Sequence, residues 1–392
     1  MPPAQRAGSF GRFSPWRVDE FWITNSQHLS NQPVSPLRRA LLLAALAALA
    51  APARVRAQAD EPVRRGRVLT FPRDHGAHLL SRTEWWYATG WLGQPEAPQL
   101  GFQITFFRSR TGLASDNRSR FAARHLLFAH AAITRLGPGG SSHLHDQRIT
   151  RWSGDSRSAL GRAGLDDADV QIGNWRLHHQ AGLWTASLPA RDFQLNLKLQ
   201  RTQPLLLQGD AGFSRKGPDE VQASHYYSEP QLAVTAAEGG SGRAWLDHEW
   251  SNEILHPDAV GWDWIGMNLF DGSALTAFVL RRADGSALWA GGSWRSAGDS
   301  AQPFAPKDLR FTAGRTWASP ASGARYPVQW QVDTPAGRFT VRALLDAQEL
   351  DSSGSTGAIY WEGLSELLDV QGQRVGLGYL EMTGYAARLR MQ

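Results

Sequence analysis

The segment Trp245-Leu246-Asp247-His248-Glu249-Trp250 sets two carboxylates around one imidazole, with an indole at either end. Residues of these types move protons. Burial in an apolar pocket keeps a carboxylic acid protonated, and a nearby imidazole or aromatic ring steadies positive charge. Side chains alternate along a strand, so Asp247 and Glu249 belong to one face, and Leu246, His248 and Trp250 to the other. Asp263, between Trp262 and Trp264, is a further candidate acid. The competing reading makes His248 a hydrogen-bonded group inside a barrel, kept for stability.

Aromatic residues gather near these acids. Trp85, Trp86 and Tyr87 are consecutive, and Trp250, Trp262 and Trp264 follow the acidic segment closely. Such clustering fits either core packing or an aromatic pocket for an extended hydrophobic ligand, a lipid or an isoprenoid. His75 and His78 have the H-x-x-H spacing of metal ligands, but spacing marks no third ligand, so no metal is expected. Glu249 is not a metalloprotease base, because H-E-x-x-H would need histidine where Asn252 stands. The chain has no G-x-S-x-G elbow, phosphate loop or dinucleotide fingerprint. An α/β-hydrolase is therefore disfavoured, and no cofactor is expected.

The elements that must hold these residues read as short strands. Phe102, Ile104 and Phe106 alternate with other residues, as do Phe193, Leu195, Leu197 and Leu199. Segments 275–281, 330–334, 339–345 and 375–382 repeat the pattern, with turns such as Asp271-Gly272 and Asp284-Gly285 between them. Short helices are expected only near 118–125 and 364–368. The fold class is all-β, and soluble barrels suit it better than an outer-membrane barrel. A Gly-rich stretch predicts a boundary near residue 240, giving domains over 64–240 and 241–392.

Residues 1–57 read as a leader. Arg38-Arg39 precedes an apolar run over 40–51, and Val55-Arg56-Ala57 offers a cleavage site before Gln58. The run falls short of the about 20 residues that span a bilayer, so no retained anchor is expected. The residues before it lack leader character, which suggests a start near Val34. The expected location is the bacterial periplasm or the exterior. The leader's seven arginines, against Asp19 and Glu20, account for the whole formal charge of +5. What remains is neutral, which excludes a nucleic-acid partner of the phosphate-binding kind. The chain has no cysteine, hence no disulfide and no thiolate chemistry.

Several blocks together resemble the AttH/CrtC-like family: Glu84 to Gly90, Gly101 to Arg108, His125 to His130, Tyr226-Tyr227-Ser228, Trp245 to Ser251, Gly261 to Asn268, Tyr360 to Gly363, and Gly378 to Tyr385. The resemblance covers residues 65 to 388 and implies two lipocalin-like (calycin) antiparallel β-barrels in tandem. That family includes carotenoid 1,2-hydratases, proteins labelled secreted hydrolases, and partners of ABC-type exporters. Its His-x-Trp site matches His248 and Trp250, and His130 joins the ligand-binding candidates. A Tyr-Asp pair of the hydratases has no counterpart in 275–282, so the acid would have to be Asp263, Asp247 or Glu249. The resemblance implies an exported binder of a lipid or isoprenoid, linked to an ABC-type exporter. The alternative is a hydratase or hydrolase acting on such a ligand by acid catalysis.

Overall fold

Apolar residues at every second position give a strand one face to bury, and this chain repeats that device almost throughout. The computed structural model describes residues 61–113, 119, 121–253 and 255–389. The leader, with its apolar run, cleavage site and start near Val34, lies outside the described residues. No helix among the described residues is long and apolar enough to cross a membrane.

The first sheet is antiparallel. Its main path runs from Ser142–Trp152 through His125–Arg135, Ala97–Arg110, Thr83–Gln94, Ser241–Ser251, Ala223–Ala236, Gln194–Gln200, Leu183–Pro189 and Trp175–Gln180 to Asp169–Ile172 and Gly161–Arg162. Its last strand returns to its first, where a Cβ on Gly161 would lie 2.4 Å from the Thr150 side chain. The sheet is thus a nearly closed barrel. Its interior is filled by Trp86, Phe102, Ile104, Phe106, Trp175 and Trp184.

A second antiparallel sheet follows. Gly261–Leu269 lies at its centre, between Ala274–Arg281 and Arg374–Met382, and Ala358–Leu368 comes next. Ile265, Met267, Leu275, Trp330 and Trp361 fill its own core. The chain is all-β with a lipocalin-like architecture. The turn at 238–240 joins two strands of the first sheet, and the passage to the second sheet comes at 252–260, downstream of the expected boundary. Residues 364–368 are strand, not helix. Both faces of that strand are covered, so polar–apolar alternation is lost and the short apolar run reads ambiguously. His125 likewise opens a strand, and no helix appears among the described residues of 118–125.

The sheets pack outer face on outer face. Tyr87, Trp91, Trp245, Trp264, Phe278, Leu364 and Tyr379 form a cluster shared by both. The approach is closest at Gly101, where a Cβ would lie 2.8 Å from Tyr379 Oη and 2.9 Å from Leu364 Cβ. A bulge in Ala223–Ala236 adds a polar tie. Pairing with the neighbouring strand shifts between Glu229 and Leu232, and Gln231 adopts φ 60°. The Gln231 N–H donates to Asn268 Oδ1 (2.8 Å), and its Nε2 donates to the carbonyls of Leu269 and Ser273 (2.8 Å each).

Candidate active site

Alternation on four strands decides what meets between the sheets. On Thr83–Gln94, Trp86 and Ala88 enter the first barrel, while Trp85 and Tyr87 face outward. On Ser241–Ser251, Leu246 faces inward while Asp247 and Glu249 line the inter-sheet space. From the second sheet come Trp262, Trp264, Tyr360, Glu362 and Glu381. Together they enclose a cavity of about 950 Å³.

Four carboxyl groups border this cavity. Asp247 accepts hydrogen bonds from Ser228 Oγ (2.5 Å), Tyr226 Oη (2.7 Å) and Trp245 Nε1 (2.6 Å). Burial outweighs these bonds and pushes Asp247 up to about 7. Glu249 is ion-paired with Lys216 at 2.9 Å and accepts from Ser224 Oγ. Lys216 in turn lies 4.6 Å over the Tyr226 ring and 4.2 Å over Phe278.

Glu362 and Glu381 are direct cross-strand partners. Glu362 is buried, whereas Glu381 keeps part of its surface open to the cavity and is enclosed by protein on its other sides. Burial first, and then each other's charge for Glu362, raise them: Glu362 well above the usual carboxylate range, Glu381 to about 8. Among the described residues no cation pairs with either. Tyr87 Oη and Glu362 Oε1 are buried near one another, and neither makes a hydrogen bond of ordinary geometry.

The remaining sequence candidates sit elsewhere. His248 and Trp250 occupy the opposite face of their strand, inside the first barrel. His248 Nε2 meets Glu84 Oε1 at 3.0 Å, and His248 Nδ1 donates to the Asp74 carbonyl at 3.0 Å. Glu84 also accepts from Arg108 Nε (2.7 Å) and His78 Nδ1 (2.7 Å). Trp250 stacks on His78 at 3.7 Å, and Trp86 stacks on His248 at 4.7 Å. Asp263 points into the second sheet, ion-paired with Arg281 Nε (2.8 Å) and accepting from Tyr385 Oη (3.0 Å). Burial still raises it to about 6. His130 does line the cavity, with Nδ1 2.8 Å from Tyr360 Oη and Nε2 2.9 Å from Ser355 Oγ. Burial lowers His130 to about 3, so its imidazole is neutral near pH 7.

Two histidine–carboxylate groups, His78/Glu84/His248 and His75/His179/Glu229, bring three ligand atoms within 4.8 Å of one another. In each the carboxylate already holds a guanidinium, Arg108 on Glu84 and Arg201 on Glu229 (2.6 Å). These are ion-pair networks in which arginine supplies the positive charge a metal would bring. Sequence reasoning missed Glu362, Glu381, Lys216 and Tyr226. The signal for the first two was a carboxylate inside an otherwise apolar strand, in Tyr360-Trp361-Glu362 and Tyr379-Leu380-Glu381.

The AttH-like family model matches residues 62–385. A protein from Nitrosomonas europaea assigned as an AttH has a crystal structure similar to this chain. Its TM-score is 0.73 at 43% identity, over 83% of this chain and 99% of that one. Kievitone hydratase from Nectria haematococca gives a TM-score of 0.57 at 14% identity, over 84% of this chain and 98% of its own, a likeness of fold. No curated protein sequence matches the chain.

Proposed function

The chain belongs to the AttH-like family, and from that premise we propose that its inter-sheet cavity adds water to a carbon–carbon double bond of a hydrophobic, isoprenoid-type substrate by acid catalysis. The observation that carries this reading is the Glu362–Glu381 pair, opposed in an aromatic cavity with no cation paired to it among the described residues. Two like charges so placed cannot both persist, so one carboxyl at least retains its proton at neutral pH. That proton has an apolar surrounding and a partner base next to it.

In this reading the Glu381 carboxyl, which opens to the cavity, gives its proton to the less substituted alkene carbon. The electron pair of the double bond forms the new C–H bond and leaves a cation on the neighbouring carbon. Trp85, Trp262, Trp264 and Tyr87 offer their ring faces to that charge. Water then adds to the cation through oxygen, and its surplus proton returns to the Glu362–Glu381 pair, so H and OH are added and the acid is regenerated. The fold-level likeness to a hydratase is an analogy that supports the chemistry without fixing its substrate.

The test uses geranylgeraniol as an isoprenoid probe in H₂¹⁸O, with the purified chain. The expected product is a tertiary alcohol carrying one ¹⁸O, formed by wild type and lost in Glu381→Gln. If prenyl alkenes are bound and returned unchanged, the second reading, a carrier of lipid or isoprenoid, is favoured; the size and aromatic lining of the cavity support that reading too. On the leader's pattern alone we place the protein in the periplasm or outside the cell, with an ABC-type exporter as the partner to seek in pull-downs.

A further inference from the structure

A buried carboxylate needs a positive partner, a set of hydrogen-bond donors or a proton. Each cation that touches the inter-sheet cavity is already committed: Lys216 to Glu249, Arg108 to Glu84, and Arg388 to the Pro257 carbonyl. His130 is neutral and hydrogen-bonded to Tyr360 and Ser355. Glu362 and Glu381 therefore stand opposed without a protein cation among the described residues.

Two independent features point to what is missing. Glu362 Oε1 and Tyr87 Oη, both on residues that line the cavity, are buried against each other at less than ordinary hydrogen-bond geometry, and Trp262 is the hydrogen-bond partner of Glu381, so the pair has neutral partners and no positive one among the described residues. Around them stand aromatic rings, whose faces carry a negative quadrupole. Tyr87 and Trp264 meet edge to face at 5.3 Å, and Trp85 and Trp262 complete the wall. Trp264 is itself the cross-strand partner of Glu381. Aromatic rings combined with carboxylates that lack a cation are what an organic ammonium group binds.

We propose that this cavity is a receptor for a positively charged nitrogen carried on an apolar chain, a tertiary or quaternary ammonium amphiphile, with the charge seated between Glu362 and Glu381. The inference rests on the hydratase reading in one respect: the carbon cation of that reaction would occupy the same place, so such a ligand would also inhibit. Anionic amphiphiles such as fatty acids are disfavoured, because they would bring a fifth carboxylate to four. When the ammonium binds, it replaces a proton on the pair, and binding releases that proton to solvent.

The experiment is calorimetric titration of the purified chain below micellar concentrations with three probes of equal chain length: decyltrimethylammonium, decanol and decanoate. The expected order is decyltrimethylammonium about tenfold tighter than decanol, with decanoate weakest; tenfold corresponds to about 1.4 kcal/mol. Glu362→Gln and Glu381→Gln should abolish the preference, bringing decyltrimethylammonium to within about twofold of decanol in the same variant. Both replacements mimic the protonated carboxyl in shape, and far-UV circular dichroism checks that each is folded. Repeating the titration in buffers of different ionisation enthalpy should show proton release by wild type only.

Equal or tighter binding of decanol or decanoate overturns the inference, as does a preference that survives in both variants. The ¹⁸O assay separates this outcome from the functional proposal. Labelled product without cation preference removes the ammonium site alone, and cation preference without product removes the hydratase reading alone.

Discussion

Glu362 and Glu381 oppose each other across adjacent antiparallel strands, with Tyr87 against Glu362 and Trp264 paired to Glu381 on its other side. In water such a pair would simply ionise. Here burial makes ionisation of both unfavourable, and the pair becomes a proton store facing a cavity.

The sign of the pH dependence follows. Glu381 is raised to about 8 in the folded chain, against 4.5 for the free side chain. Between those values the folded chain keeps a proton that the unfolded chain has released. Stability from this group is therefore complete below about 4.5 and declines as pH rises through about 8. Chemical denaturation across pH 5–9 should show this decline in wild type and a flatter profile in Glu381→Gln. Hydration, which needs the proton in place, should hold steady up to about pH 8 and fall about tenfold per unit above it.

Trp85 and Trp250 separate cavity from core. Trp85→Leu should weaken decyltrimethylammonium binding by about tenfold, with little change in stability, because the indole forms cavity wall. Trp250→Leu should leave binding unchanged and cost about 2–4 kcal/mol, because that ring is buried on His78. Titration and urea midpoints measured on both variants check the contrast. Weaker binding in Trp250→Leu at unchanged stability would contradict it.

His248 and Glu84 belong to a structural network inside the first barrel. Glu84→Gln strands the Arg108 guanidinium and should cost about 3–5 kcal/mol, read as a lower urea midpoint at unchanged slope. His248→Gln should be milder, at about 1–3 kcal/mol. Product formation per folded molecule should remain within about twofold of wild type in His248→Gln; a loss of a hundredfold or more would return His248 to the catalytic machinery.

Gly101→Val places a branched side chain where even a Cβ would crowd Tyr379 and Leu364. Overpacking of this kind costs about 1–3 kcal/mol, and here it presses the sheets apart. A raised midpoint in this variant would argue against the close packing described.

Much of this was legible because period-two patterns survive wherever one strand face is core. The Gln194–Gln200 strand shows it: Leu195, Leu197 and Leu199 are buried where alternation put them. The division of Asp247 and Glu249 from His248 follows from the same rule. What alternation leaves open is which face belongs to which cavity, so the sequence does not separate His248, Trp250 and Trp86, inside the first barrel, from the residues of the inter-sheet cavity. The Glu362–Glu381 pair was hidden for a different reason. Opposition of two carboxylates depends on strand register, which is set by the turn between the strands and not by either residue's own surroundings. Residues 364–368 misread as helix because a strand covered on both faces has no alternation to show.

The bulge at Gln231 limits how anything reaches the cavity. Its backbone N–H and both donors of its side chain's tie end on acceptors of the second sheet. Swinging the sheets apart like a clamshell would orphan these groups at about 1–3 kcal/mol each, besides exposing the shared aromatic cluster. Ligand traffic is therefore a matter of the rim, the turn at 353–357 and the tail at 386–389, with the walls standing still. The amides of Gly261–Leu269 and Ser241–Ser251 should then exchange with deuterium at a common rate, as parts of one cooperative unit, with or without a ligand in the cavity.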